Sequence, residues 1–195
     1  RRDPPFLRRG PTVALLGPDG AGKSSLAARI AAGGPMRLQS VYLGLYGGSR
    51  AKRRDGQRSL PGLGLARRLV AMWGGWLVGW WAARRGRIVL FDRHPYDARL
   101  GDARGSGARL RRAVLGHALP APDLVVILDA PAELLVARKP EHPIDRIEDQ
   151  RRRYLALAER LDRAIVVDAQ APLDDVARRI TALAWHGVAA EVDAR

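Results

Sequence analysis

The stretch GPDGAGKSS, residues 17–25, decides the fold of this 195-residue chain. It matches the spacing G-x-x-x-x-G-K-[ST], and it lies between the apolar run TVALL and the helix-forming run LAARIAA. Glycines at this spacing let successive backbone N–H groups point at one anion, and the following helix presents its positive end to the same anion. The stretch therefore predicts a phosphate-binding loop, in which Lys23 reaches nucleotide phosphates and Ser24 can bind Mg²⁺.

Five short apolar runs predict the strands of one sheet. Most are continuous rather than alternating, which is typical of parallel strands covered by helices on both faces. They cover residues 12–17, 40–45, 87–92, 123–129 and 164–168, and helix-forming stretches separate them. We therefore predict an α/β fold, with a five-stranded parallel sheet between two helical layers.

Length and composition predict a single domain over residues 1–195. Residues 1–10 read as a linker or tail, and the glycine- and cation-rich residues 47–62 read as a flexible basic loop. The net charge is +14, and all of it falls in residues 1–91, which attract anions. The chain has no cysteine, which fits a reducing, cytoplasmic setting, and it carries no recognisable nucleic-acid-binding motif. We expect neither a nucleic acid nor a membrane as partner.

An uncharged run, residues 69–83, contains four of the five tryptophans. Its 15 residues are fewer than the ~20 needed to span a bilayer. Four large side chains recur at the spacing of one helical face: Trp73, Trp76, Leu77 and Trp80. Two interpretations stay open, since this face could pack in the core or an interface, or it could line the pocket of an acceptor molecule.

Two predicted strands end in a carboxylate that could bind Mg²⁺. Asp92 is followed by Arg93, and a carboxylate beside a guanidinium suits a site that handles metal and phosphate together. Asp129 is followed by APAE, which reads as a loop entering a helix. We favour Asp92 as the metal ligand and a structural role for Asp129.

Residues 138–153 predict a short arginine-rich lid. Phosphoryl transfer needs cations over the transferring group and the exclusion of water, and two prolines separate this segment from the preceding helix. We expect Arg138 and Arg146 to act on the nucleotide. For Arg151, Arg152 and Arg153 a second interpretation is open, because Glu148 and Asp149 lie four residues before two of them and could form surface ion pairs.

In series, these segments resemble the thymidylate kinase group of P-loop nucleoside monophosphate kinases, from residue 12 to about residue 185. The resemblance rests on GPDGAGKSS, VLFDRH, PDLVVILDAPAELLVAR, DRIED with RRRYLALAERL, and AIVVDAQAPLDDVARRI. It implies ATP- and Mg²⁺-dependent phosphoryl transfer to a small acceptor, most simply a nucleoside monophosphate. It also implies a homodimer packed through helices.

The resemblance further implies roles for individual residues. Ser24 and Asp92 would bind Mg²⁺, and Gln170 would lie beside the adenine. The implied catalytic residues are Lys23, Asp92, Arg93, Arg138 and Arg146. The implied ATP-binding residues are Gly17, Pro18, Asp19, Gly20, Ala21, Gly22, Lys23, Ser24, Ser25 and Gln170.

The departures from the family pattern concentrate on the acceptor side. The family's arginine after the second strand is missing, and Ala71 stands near the position of a second, phosphate-gripping arginine. We expect the acceptor to meet Asp19, Arg67, Arg68, Trp76 and Arg93. A divergent metabolite could therefore be the acceptor. An ATP-binding regulatory module of a larger protein, with little or no kinase turnover, is the alternative.

Overall fold

The structure, a computed structural model, describes residues 9–33, 38–43, 63–100 and 105–193. Five parallel strands form one sheet in the order β2-β3-β1-β4-β5. The strands are β1 (Thr12–Leu16), β2 (Leu38–Tyr42), β3 (Ile88–Asp92), β4 (Leu124–Asp129) and β5 (Ala164–Asp168). The helices are α1 (Lys23–Gly33), α2 (Leu63–Arg84), α3 (Asp97–Leu100), α4 (Ser106–Gly116), α5 (Ala132–Arg138), α6 (Ile144–Ala158) and α7 (Leu173–Asp193). The predicted five-stranded parallel sheet is confirmed.

The central strand β1 is buried on both faces. Val13 and Leu15 pack with residues of α1 and α7, while Ala14 and Leu16 pack with residues of α2, α4 and α6. None of these four side chains is more than 1% exposed. A strand covered on both sides needs apolar residues at every position, which explains the continuous run TVALL. The prediction of helices on both faces is confirmed as well.

The sheet topology places the phosphate-binding loop at a switch point. From β1 the chain runs to one side for β2 and β3, and to the other side for β4 and β5. Parallel pairing brings the carboxyl ends of all strands to one edge, where Leu15 pairs with Asp92 and Asp129 pairs with Asp168. Ligands of open α/β sheets bind at this edge, beside the point where the strand order reverses.

The structure confirms the helix break that two prolines predicted, and it contains two helices that the sequence did not predict. Helix α5 ends at Arg138 and α6 begins at Ile144, so Pro140 and Pro143 do separate them. The sequence patterns did not indicate α3 or α4, because glycine and arginine interrupt the apolar positions of residues 97–116. Residues 1–8 of the predicted tail and the predicted basic loop, 47–62, lie outside the described residues.

Helix α2 packs on the sheet through small residues, through Met72 and through one of its four tryptophans, Trp76. A Cβ atom added at Gly79 would lie 2.7 Å from the Cε1 atom of Phe91, so only glycine permits this close approach. Trp76 packs against the core, but the other three residues of the predicted face are exposed: Trp73, Leu77 and Trp80. The core interpretation therefore fails for these three residues. An interface role for them, like the homodimer, stays a prediction.

The exposed side of α2 also carries two cation–π contacts. Arg84 lies 4.6 Å from the ring centre of Trp80, and Arg85 lies 4.7 Å from that of Trp81. In such contacts the positive charge of the guanidinium is attracted to the face of the aromatic ring. Within the described residues, no helix combines the length and the apolar character that crossing a membrane requires.

Candidate functional site

The loop between β1 and α1 is shaped by three glycines with positive φ. The angles are 143° at Gly17, 86° at Gly20 and 84° at Gly22, a region that side chains other than glycine rarely adopt. A Cβ atom at Gly20 would also lie 2.4 Å from the carbonyl oxygen of Leu135. The loop can therefore follow this path only with glycine at these positions, and the path leads directly into the first turn of α1.

The side chain of Lys23 is buried and lies across this loop. Its Nζ atom donates hydrogen bonds to the carbonyl oxygens of Gly17 and Pro18, both at 2.7 Å. Burial, together with the nearby charge of Arg93, lowers the pKa of Lys23 to about 8. A bound anion would favour the charged form of this amine, so the site is built to receive negative charge.

A cavity of about 510 Å³ opens along the loop, and we call it the loop cavity. It is lined by residues 19–26, by Arg93, Leu128, Arg138 and Lys139, and by residues between 169 and 176. The predicted ATP-binding residues from Asp19 to Ser25 all line it. The side chain of Gln170 does not, although Ala169 and Ala171 on either side of it do.

The guanidinium of Arg138 helps to form the far wall of the loop cavity. Its Nη1 atom donates a hydrogen bond to the carbonyl oxygen of Ala169 at 3.0 Å. This contact joins the end of α5 to the turn that follows β5. The residue thus lies beside the predicted adenine loop.

A second cavity, of about 450 Å³, lies beside the first, and we call it the α6 cavity. It is lined by Gly17, Asp19, Arg93, Asp97, Leu100, Arg112, Arg146, Asp149, Gln150, Arg153 and Tyr154. Among the described residues, Asp19 and Arg93 are the two that line both cavities. The two cavities therefore meet at this ion pair.

Arg93 is held at the junction by two carboxylates and by an unusual backbone angle. Its Nη2 atom lies 3.4 Å from Oδ1 of Asp19, and its Nη1 atom lies 3.9 Å from Oδ2 of Asp97. Burial alone would lower the pKa of Arg93, but Asp97 and Asp19 outweigh it and raise the pKa. Its φ of 65° is the one positive value outside glycine in the part of the chain that the structure describes. Such a backbone costs an L-residue roughly 1–2 kcal/mol and is typical of functional sites.

Asp97 completes the junction, and the sequence analysis did not single it out. Its carboxylate is 12% exposed, and Oδ1 accepts a hydrogen bond from the hydroxyl of Tyr154 at 2.9 Å. Burial raises the pKa of Asp97, while Lys23 and Arg93 oppose this effect. The available signal was a second acid five residues after Asp92, in the segment that leaves β3 at the ligand-binding edge.

Asp19 faces the same junction from the loop. Burial would raise the pKa of its carboxyl, but Lys23 and Arg93 overcome this effect and lower the pKa. The backbone N–H of Asp19 also donates to the side chain of Gln150, at 3.3 Å. The loop and α6 are thereby connected across the α6 cavity.

His94, next to Arg93, is buried and uncharged. Burial, with a smaller effect of Arg99, lowers the pKa of His94 to about 3. The ring packs edge-on against Tyr96, with ring centres 4.3 Å apart. This residue supports the turn after β3 and lines neither cavity.

The two residues predicted to bind Mg²⁺ are both described, and their role as ligands stays a prediction. Ser24 is exposed at the loop cavity, and Asp92 ends β3 at the same sheet edge, where its charge partly offsets the lowering of the Lys23 pKa. Asp92 itself lines neither cavity. In the described ranges, no cluster of three or more histidine or acidic side chains could hold a metal alone.

The carboxylate of Asp129 forms an ion pair with an arginine of α6. Arg151 contacts both of its oxygens, at 2.8 Å and 2.9 Å, and also contacts Glu148 at 2.8 Å. The hydrogen bond to Asp129 raises the pKa of Arg151. The predicted ion pair of Asp149 and Arg153 is present, at 2.7 Å. Glu148 pairs with Arg151, three residues later, and not with Arg152 as predicted. Asp129 thus ties β4 to α6, in line with the structural role expected for it.

The predicted acceptor residues on α2 lie away from the junction. Arg67, Arg68 and Trp76 line neither cavity, and both arginines are exposed. Apart from Arg93, the cationic lining of the α6 cavity comes instead from α4 and α6. Its members there are Arg112, Arg146 and Arg153. These residues are distant in the sequence, so spacing alone could not have grouped them.

The comparison with known proteins agrees with this architecture. No protein-family profile matches the chain. A thymidylate kinase from Candida albicans has 16% sequence identity and a TM-score of 0.59, with 90% of this chain and 91% of that chain covered. A deoxyadenosine kinase from M. mycoides, with the products dCMP and a flexible dCDP bound, has 14% identity and a TM-score of 0.56, with 87% and 96% covered. At these identities the likeness establishes the fold, so this chain has the α/β P-loop fold of these two kinases.

Proposed function

We propose that this chain is an ATP- and Mg²⁺-dependent phosphotransferase acting on a small acceptor. One observation carries the proposal: the loop cavity and the α6 cavity meet at Arg93 and Asp19. In-line phosphoryl transfer needs the donor and the acceptor on opposite sides of the transferring group. A guanidinium at that junction can stabilise the negative charge on both sides.

In this proposal ATP binds in the loop cavity. Backbone N–H groups of residues 17–25 and the Nζ atom of Lys23 hold the β- and γ-phosphates. Ser24 and Asp92 would hold Mg²⁺, which would supply positive charge to the phosphates of ATP. Arg138 and the turn at residues 169–171 face the adenine. ATP as donor is further supported by the fold shared with two nucleotide and nucleoside kinases.

The acceptor binds in the α6 cavity. About 450 Å³ admits a molecule the size of a nucleoside or a sugar. Arg146, which we predicted as the lid cation, lines this cavity. We propose that residues 138–153 act as the lid, with Arg146 acting on the transferring group or on the acceptor.

The experiment is a panel of acceptors with the purified chain, ATP and Mg²⁺. Each nucleoside monophosphate and each nucleoside is added separately, and ADP release is compared with the rate in the absence of acceptor. We expect at least one acceptor to raise the rate well above that background, and EDTA to remove the increase. Tight ATP binding without acceptor-dependent ADP release throughout the panel would instead favour an ATP-binding regulatory module.

A further inference from the structure

This inference rests on the proposed function and concerns how Arg93 is held between donor and acceptor. An arginine side chain has several rotatable bonds, and it loses much of its rotamer freedom when it is fixed in one position. The side chain of Arg93 is 30% exposed, so packing fixes it only in part. Its position therefore depends on the carboxylates beside it, Asp19 at 3.4 Å and Asp97 at 3.9 Å.

The two carboxylates differ in how closely they are tied to Arg93. Asp19 belongs to the phosphate-binding loop, and while one of its oxygens faces Arg93, the ring of His142 lies 3.8 Å from the other. Asp19 therefore faces more than one basic side chain. Asp97 lies four residues after Arg93 in the same short segment, so its distance from Arg93 depends on few backbone angles.

The segment between Arg93 and Asp97 is a series of tight turns that leads into α3. The backbone N–H of Asp97 donates to the carbonyl oxygen of His94 at 2.9 Å, and the next two N–H groups each donate three residues back at the same distance. Helix α3, which begins at Asp97, has only four residues. A single helical turn is not stable by itself, because it fixes several dihedral angles for few hydrogen bonds. Its place in the fold depends on contacts with other elements.

Helix α6 supplies such contacts at both ends of α3. At the start of α3, the hydroxyl of Tyr154 donates to Oδ1 of Asp97 at 2.9 Å. At its end, the Nη1 atom of Arg153 donates to the carbonyl oxygen of Leu100 at 2.7 Å. Tyr154 is itself buried and packs in the core on the α2 side of the sheet. The packing of α6 therefore fixes α3, and with it Asp97.

The two oxygens of the Asp97 carboxylate face different groups. Oδ1 accepts the hydrogen bond of Tyr154, while Oδ2 lies 3.9 Å from Nη1 of Arg93. A hydrogen bond to one oxygen restricts rotation of the carboxylate, and it thereby keeps the other oxygen beside the guanidinium. Burial raises the pKa of Asp97, and the charges of Lys23 and Arg93 and the hydrogen bond of Tyr154 oppose that rise. A series of contacts thus leads from the buried side of α6 through Asp97 to Arg93.

We propose that Asp97 and Tyr154 are positioning residues that hold the guanidinium of Arg93 on the transferring phosphoryl group. Tyr154 acts through Asp97, and Asp97 acts through Arg93, so neither needs to touch the reacting atoms. A catalytic group that is displaced by about 1 Å can lower the rate about 10²-fold. Loss of either positioning residue should therefore lower kcat without weakening ATP binding, since neither residue lines the loop cavity.

The first test measures kcat and the ATP dissociation constant of Tyr154→Phe, with the best acceptor of the panel. Phenylalanine keeps the buried ring and removes only the hydroxyl. We expect kcat to fall roughly 10- to 100-fold and the dissociation constant to stay within about twofold. Asp97→Asn, which removes the charge beside Arg93, should lower kcat at least as far. Tyr96→Phe is the matched control and should keep the wild-type kcat, because Tyr96 is buried in the same segment and lines neither cavity.

The second test is a double-mutant cycle with Arg93→Ala, which separates positioning from other roles. If Tyr154 acts through Arg93, Tyr154→Phe should change kcat by less than about twofold in a protein that already lacks the guanidinium. The same loss of kcat in both backgrounds would mean that Tyr154 contacts the acceptor or only stabilises the fold. That result would overturn the inference.

Wild-type kcat in Tyr154→Phe and Asp97→Asn would also overturn it, once chemical denaturation shows that both proteins are folded. If Asp97→Asn does not fold, Tyr154→Phe decides alone. In each of these cases, acceptor-dependent ADP release by the wild-type chain leaves the proposed function standing. The absence of transfer to any acceptor by the wild-type chain contradicts both the inference and the proposed function.

Discussion

The loop cavity and the α6 cavity are assembled in different ways. Seven consecutive residues, 19–25, form a large part of the lining of the loop cavity. The α6 cavity gathers side chains from the loop, from the turn after β3, and from α3, α4 and α6. With the roles proposed for the two cavities, phosphate binding is encoded locally, whereas acceptor recognition depends on how distant elements pack. Changes in the first cavity should affect every acceptor, and changes in the second should affect some acceptors more than others.

The largest effect is expected from Lys23→Ala. The change removes the buried amine that we propose to bind the γ-phosphate, and removal of one such charged donor costs about 10²–10³ in kcat. Because this residue serves the donor, the loss should be similar for every acceptor. Steady-state ADP release with two different acceptors measures this. A loss for one acceptor alone would contradict the division between the two cavities.

Asp92→Asn should follow, with a loss of roughly 10- to 100-fold at low Mg²⁺. The change removes a charge from the proposed metal site and keeps the shape of the side chain. The measurement is the dependence of kcat on Mg²⁺ concentration, which should shift to higher values. Asp129→Asn is the matched control, because Asp129 ends β4, on the other side of β1, but is paired with Arg151. If the Mg²⁺ dependence of kcat shifted in Asp129→Asn and not in Asp92→Asn, Asp129 would be the metal ligand and Asp92 the structural residue.

Gly20→Ala should destabilise the loop more than Gly22→Ala does. Both residues have nearly the same φ, 86° and 84°, so alanine pays about the same backbone cost of roughly 1–2 kcal/mol at each. A new Cβ meets the carbonyl oxygen of Leu135 at 2.4 Å in the first case, and nothing within 4 Å in the second. We expect Gly20→Ala to lower the free energy of unfolding by about 1–3 kcal/mol more. Chemical denaturation of both variants measures the difference, and equal values would contradict it.

The smallest effect is expected from Arg146→Gln, which probes the α6 cavity. Arg146 is exposed, so the loss of its charge should raise the KM of the acceptor by only about fivefold, or ~1 kcal/mol. The KM of ATP should not change, since Arg146 lines only the α6 cavity. Arg152→Gln is the control, because Arg152 is exposed on the same helix and lines neither cavity. A fall in kcat shared by all acceptors would instead identify Arg146 as the lid cation of the donor phosphates.

The helix with the tryptophans shows where sequence periodicity misleads. The spacing of Trp73, Trp76, Leu77 and Trp80 correctly indicates one face of a helix, but it does not say which face meets the sheet. Gly79 decides that question, because its missing side chain lets α2 approach Phe91 closely. The hydrophobicity of the residues alone could not reveal that α2 contacts the sheet through a glycine and not through most of its large side chains.

The sequence by itself determined the phosphate-binding loop, the five strands and the break between α5 and α6. These features depend on neighbouring residues, namely glycines with positive φ, continuous apolar runs and prolines. Only the tertiary structure decided that Asp97, Tyr154 and Arg93 meet, that Asp129 is held by Arg151, and that α2 turns most of its tryptophans outward. Each of these depends on contacts between elements far apart in the chain, and such contacts follow from packing, since no local spacing specifies them.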